Sequence, residues 1–130
     1  MDVKSKAGIS EIRTVAIAVK DHERSIDFYV NKLGFEKRLD APFGPGQRWV
    51  EVAPQGATTT LALAPEGPTS QAGSDTGIRL QTDDADGLRA RLEASGVDAD
   101  AEVMRLGQGV PPMFSFRDPD GNRLYVVEGR

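Results

Sequence analysis

Apolar and polar residues alternate over 11–19, with Val15, Ile17 and Val19 on one side and Thr14, Ala16 and Ala18 on the other. That is the period of a half-buried strand. Asp21 then stands where a helix needs an N-cap, with Glu23 in the first turn. Ile26, Tyr29, Val30 and Leu33 recur at i, i+3, i+4 and i+7 as one buried stripe, and Gly34 stands where a left-handed cap ends a helix. Strands are predicted near 35–40, 47–53 and 59–64, separated by Pro42-Phe43-Gly44-Pro45-Gly46 and Pro54-Gln55-Gly56.

The same order then repeats. Ile78 and Leu80 alternate with Gly77, Arg79 and Gln81; Asp83-Asp84 opens a helix over about 84–95. Leu88 and Leu92 form its buried stripe, with Ala85 and Ser95 extending it. Strands are predicted near 99–105, 112–117 and 123–128, and Asp120-Gly121-Asn122 signals a tight hairpin before the last. Two β-α-β-β-β copies predict an α+β fold: two tandem βαβββ modules forming curved mixed sheets, helices on the convex face and a ligand face on the concave one. The modules are placed at 10–64 and 76–130, joined by a linker at 65–75 and preceded by a flexible tail at 1–9, within one compact domain.

Composition narrows the chemistry. The formal charge is −4 with no basic run, which argues against nucleic acid as a partner. Cysteine is absent, so disulfides, thiolate ligands and a Cys nucleophile are excluded. No apolar stretch approaches the ~20 residues of a membrane span and no signal peptide is recognisable, so a cytoplasmic protein without a membrane partner is expected. His22, the one histidine, falls at a helix start on the edge away from the ligand face. It is expected to be a solvated turn residue, so no Ser/His/Asp arrangement can be built.

Several segments together resemble the vicinal oxygen chelate superfamily, which includes glyoxalase I, bleomycin-resistance proteins, fosfomycin-resistance enzymes and extradiol dioxygenases. They are Val19-Lys20-Asp21, Arg24-Ser25-Ile26-Asp27-Phe28-Tyr29, Lys32-Leu33-Gly34-Phe35, Arg48-Trp49-Val50 and Asp118-Pro119-Asp120-Gly121-Asn122. The resemblance covers about residues 10–128 and implies the glyoxalase/bleomycin-resistance-like fold. It also implies that enzymes of this kind hold a divalent metal with His and Glu from the first and last strands of each module. The matching positions here are Thr14, the strand Thr59-Thr60-Leu61-Ala62-Leu63, Gly77 and Tyr125, none of them His or carboxylate; Glu128 lies three positions too late. The expectation is no metal and no cofactor.

Alternation also predicts what lines the ligand face: Thr14, Trp49, Glu51, Arg79, Met113, Arg117 and Tyr125. Trp49 and Tyr125 offer flat surfaces, and an arginine can grip an anion by its fork. Alternatively, Arg79 and Glu51 pair with each other. The reading is a metal-independent homodimer binding a small planar or anionic organic ligand. One alternative is a glyoxalase-like lyase or isomerase with a non-standard site, in which Glu51 is the catalytic candidate; another is an oligomerisation module without ligand.

Overall fold

The computed structural model describes residues 6–129, so residues 1–5 of the expected tail lie outside the described residues. The first half contains β1 (Thr14–Val19), α1 (His22–Asp27), β2 (Glu36–Pro42), β3 (Arg48–Ala53) and β4 (Thr60–Pro65). The second contains β5 (Asp75–Thr82), α2 (Ala85–Ala94), β6 (Asp98–Ala99), β7 (Met113–Arg117) and β8 (Arg123–Glu128). Their sheets have matching orders, β1-β4-β3-β2 and β5-β8-β7-β6. In each sheet the first and last strands run parallel and the other pairs antiparallel.

The helix starts are set by the anticipated aspartates. Asp21 accepts from the Arg24 N–H at 3.2 Å, and Asp84 from the Gly87 N–H at 2.9 Å. Glu128 also serves α2, accepting from the Ala85 N–H at 3.0 Å. The first helix departs from the predicted stripe. After Asp27 it widens into a π-helical turn, Phe28–Lys32, in which the Leu33 N–H reaches back five residues to the Phe28 carbonyl at 3.1 Å. Phe28, at the start of this turn, joins Tyr29 in the core, while Ile26, Val30 and Leu33 are only partly buried. In α2, Ser95 does not extend the stripe; it is exposed at the C-cap, and its carbonyl accepts from Lys32 Nζ at 2.6 Å.

The strand expected at 99–105 is reduced to Asp98–Ala99 and an isolated bridge between Met104 and Met113. Asp100 is the reason. Its carboxylate accepts the Ser115 N–H at 2.8 Å, taking a donor that a continuing strand would have used. In β5, register jumps from Asp75 opposite Arg123 to Arg79 opposite Tyr125. Gly77 at φ +72° sits inside this bulge, a backbone angle that a side chain disfavours.

One core serves both sheets. Ile17, Val19, Val50, Val52, Leu61 and Leu63 from the first join Phe114, Phe116, Leu124 and Val126 from the second, around Phe28, Tyr29 and Leu92. The Asp118–Asn122 turn fastens the halves together. Asn122 is fully buried; its Nδ2 donates to the Ala18 carbonyl at 2.9 Å and to Asp118 at 3.0 Å. Its Oδ1 accepts from the N–H groups of Gly73 at 2.8 Å and Ser74 at 3.3 Å. Asp118 accepts the Tyr29 hydroxyl at 2.9 Å, and Asp120 pairs with Arg24 at 2.6 Å. Burial, then the neighbouring Asp118 charge and hydrogen bond, push the Tyr29 phenol well above its ordinary pKa, so it stays a donor. The motif that carries the resemblance is thus a structural clamp.

Candidate functional site

Because both sheets turn their helix-packed sides into one core, their alternate side chains point away from it on two helix-free faces. On the first sheet, Thr14, Trp49 and Glu51 come together as expected, with Thr60 completing the group. Trp49 Nε1 donates to Glu51 Oε2 at 2.9 Å, and the Thr60 hydroxyl donates to Glu51 Oε1 at 2.8 Å. Thr14 and Thr60 lie opposite in register with their hydroxyl oxygens 2.7 Å apart. Glu51 is 7% exposed, and Arg79 is not its partner. Leu39, opposite Glu51 in register, and Phe43, edge-on to Trp49 at 6.2 Å, add apolar surface that is 41% and 47% exposed.

On the second sheet, the bulge at Gly77 brings Arg79 over the Tyr125 ring, 4.3 Å from its centroid, with Arg123 at 5.3 Å. Tyr125 is therefore not a bare stacking surface: the outermost flat group beside it is the Arg79 guanidinium, itself able to stack. The Tyr125 hydroxyl donates to Asp75 at 2.7 Å. That bond holds the Asp75 carboxyl below its ordinary range and pushes the Tyr125 phenol up. Arg79 donates to the Gly77 carbonyl at 2.8 Å and Arg123 to Ser115 Oγ at 3.0 Å; among the described residues neither forms an ion pair. Arg117, by contrast, is engaged by Asp100 at 3.1 Å and lies 3.9 Å from Asp98. It is a structural arginine. Met113 is half-buried on the same face, beside exposed Met104.

Asp100 illustrates competing effects. Burial raises its pKa, but the Ser115 N–H, the Ser115 hydroxyl and the Arg117 guanidinium together outweigh burial and hold it below the ordinary value. Asp75 and Asp100, depressed in the folded chain, contribute stability that is present above the unfolded value of about 4 and lost as pH falls through the folded values. Thermal melts from pH 7 to 2.5 are expected to be flat down to about pH 5 and to fall below about pH 4. Asp100→Asn should flatten part of that fall.

The positions matching metal ligands do not suit a divalent ion. Thr14 and Thr60 bond each other, Thr60 also bonds Glu51, Gly77 has no side chain, and the Tyr125 hydroxyl is engaged with Asp75. Among the described residues no group of three or more His, Cys, Asp or Glu side chains is gathered. His22 is half-buried rather than solvated, its Nε2 donating to the Leu63 carbonyl at 2.9 Å. Two clefts of about 520 Å³ each lie along β1, one beneath Pro68–Gln71 and one beside Gly77–Leu80; the second is lined by Thr60 and Arg79, but neither by Trp49, Glu51 or Tyr125. None of the described helices is long and apolar enough to cross a membrane.

Alternation located the faces but not all their residues. Thr60 was legible, since it is opposite in phase to Leu61 and Leu63. Arg123 is in phase with Tyr125 and so shares its face, but it is not among the seven residues expected to bind. Asp75 and Asp100 carried no signal, because their positions depend on the bulge and on the truncated β6.

The sequence profile of the Glyoxalase/Bleomycin resistance protein/Dioxygenase superfamily matches residues 11–126. YetH of Bacillus subtilis (strain 168) is 33% identical over 123 residues, 92% of this chain and 99% of its own. TnmS3, an antibiotic binding protein from Streptomyces sp. CB03234, is similar at TM-score 0.81 and 36% identity, over 94% of this chain and 98% of that one. A superfamily member from Sphaerobacter thermophilus DSM 20745 is similar at TM-score 0.81 and 38% identity, over 93% and 98%.

Proposed function

We propose that this chain, which belongs to the Glyoxalase/Bleomycin resistance protein/Dioxygenase superfamily, binds a small planar or anionic organic ligand on its helix-free faces without a metal. The observation that carries this reading is an indole beside a buried carboxylate on one face and, on the other, two arginines that form no ion pair among the described residues. Glu51 in particular is seldom left in this way by folding alone, since buried charges are normally paired. The similarity to an antibiotic binding protein supports it.

Within one chain Thr60 and Arg79 share the cleft beside Gly77–Leu80, but Trp49, Glu51 and Tyr125 line neither cleft along β1, so the indole and carboxylate of one face are not closed over by the other. A symmetric dimer closes the site: the Trp49 face of one copy meets the Arg79 face of its partner, and the reciprocal pairing makes an identical second pocket. The apolar side chains left open at Leu39, Phe43 and Met104 are then covered.

The test is a thermal-melt titration of chelator-treated protein against planar organic acids and, separately, against nickel, zinc, manganese and cobalt. A ligand at about a hundred times its Kd stabilises by about 2.7 kcal/mol, a shift of several degrees. We expect such a shift with an organic acid, unchanged by chelator. Stoichiometric metal surviving purification, with binding that requires it, overturns the reading, and hemithioacetal turnover abolished by Glu51→Gln replaces it with the lyase alternative.

A further inference from the structure

The hydrogen bonds of the first face have a fixed direction. A carboxylate has no proton to give, so the Thr60 hydroxyl at 2.8 Å must donate to Glu51. Its single proton being used, the 2.7 Å contact with Thr14 is filled by the Thr14 proton, which also has the Thr60 carbonyl within 3.2 Å. Trp49 Nε1 also donates towards Glu51. Thr14, Thr60 and Trp49 therefore all direct their side-chain protons inward, and what the group has left to offer is lone pairs, on Glu51 and on Thr14. Glu51 uses one bond at each oxygen, where an ionised carboxylate has about four acceptor positions. Both of its partners are neutral, so its charge is not offset by a cation of the described chain.

The second face has the opposite character. A guanidinium has five N–H groups and no acceptor. Arg79 and Arg123 spend one hydrogen bond each on the Gly77 carbonyl and Ser115 Oγ; the nearby Asp75, held by the neutral Tyr125 hydroxyl, offsets part of their two charges and leaves the group net positive. What this face has left to offer is N–H donors and positive charge.

We propose that the ligand has two unlike poles on a flat body: an O–H or N–H donor that meets Glu51 and Thr14, and an anionic group of carboxylate type that meets Arg79 and Arg123. This rests on the binding reading above and gives it a direction. An anion on the Trp49 face is repelled by Glu51, and a cation on the Arg79 face by the arginines, so the ligand enters each pocket in one orientation.

Isothermal titration with naphthalene probes tests the polarity on the unaltered protein. The probes are 6-hydroxy-2-naphthoate, 6-amino-2-naphthoate, 6-methoxy-2-naphthoate and 2-naphthol. The hydroxy and amino acids are expected to bind about tenfold more tightly than the methoxy acid, whose donor is blocked, and 6-hydroxy-2-naphthoate about tenfold more tightly than 2-naphthol, which lacks the anion. Only one of the two donors binding more tightly identifies which donor the site takes, and supports the proposal. Glu51→Gln should bring the hydroxy and methoxy acids within about twofold, and Arg79→Gln should do the same for 6-hydroxy-2-naphthoate and 2-naphthol. Equal affinities for the hydroxy, amino and methoxy acids in the unaltered protein overturn the polarity while leaving binding intact. No binding by any probe at millimolar concentration overturns the polarity and the binding reading together.

Discussion

Asn122→Ala is expected to lower the stability of this chain by about 4 kcal/mol, near the upper end of what one substitution does. The Asn122 amide is fully buried and engaged at both ends. Alanine takes the Asn122 donor from the buried Ala18 carbonyl, at about 1–3 kcal/mol for an orphaned group, releases the N–H groups of Gly73 and Ser74, and leaves a cavity as well. The loss is large because the bonds join three separated stretches: the end of β1, the segment before β5 and the turn before β8. Tyr29→Phe removes only the hydroxyl bond to Asp118 and should cost about 1–2 kcal/mol. Urea unfolding of both variants checks the order. An Asn122→Ala protein within 1 kcal/mol of the unaltered one, on the ~1 kcal/mol scale of ordinary substitutions, sinks the clamp.

Trp49→Ala is expected to weaken binding of a planar organic acid about thirtyfold, or about 2 kcal/mol, the size of effect found when a central aromatic anchor is removed. The fold should survive, because Trp49 lies on the helix-free side of β3 while Val50 and Val52 hold the core side. Two contributions add. The indole is the flat surface of its face, and its Nε1 holds Glu51 Oε2 in place. Trp49→Phe separates them: it keeps a ring but drops the donor, and should recover part of the affinity. As the only tryptophan in the chain, Trp49 also reports binding through its own fluorescence in the unaltered protein.

Much of the architecture was legible from alternation and punctuation. Ile17 and Val19 against Thr14, Ala16 and Ala18 located the faces of β1, and Asp21 and Gly34 bracketed the first helix. What escaped was set by single local events. Phe28, at the start of the π-turn Phe28–Lys32, joins the core, whereas a strict 3.6-residue period leaves it outside the predicted stripe. Asp100 ends β6 by capping Ser115, where apolar content alone suggested a longer strand. In the candidate site, Thr14, Trp49 and Glu51 were foreseeable as neighbours because they share a face. The stacking of Arg79 on Tyr125 was not, because a two-residue bulge around Gly77 decides which residue lies opposite which. Arg117 illustrates the limit of side-chain type: its face was right, but Asp100 claims its charge.

In the proposed dimer each ligand site combines the Trp49 face of one copy with the Arg79 face of another. Mixing Trp49→Ala with Arg79→Ala protein, after unfolding and refolding together, tests it most directly. In a mixed dimer built this way, one pocket carries both substitutions and the other carries neither. Titration with 6-hydroxy-2-naphthoate should therefore show high-affinity sites that neither variant has alone. Statistical mixing makes half of the dimers mixed, so about one site in four should regain full affinity. A mixture that binds no better than its two components contradicts the account, because the two faces would then act within a single chain or not at all.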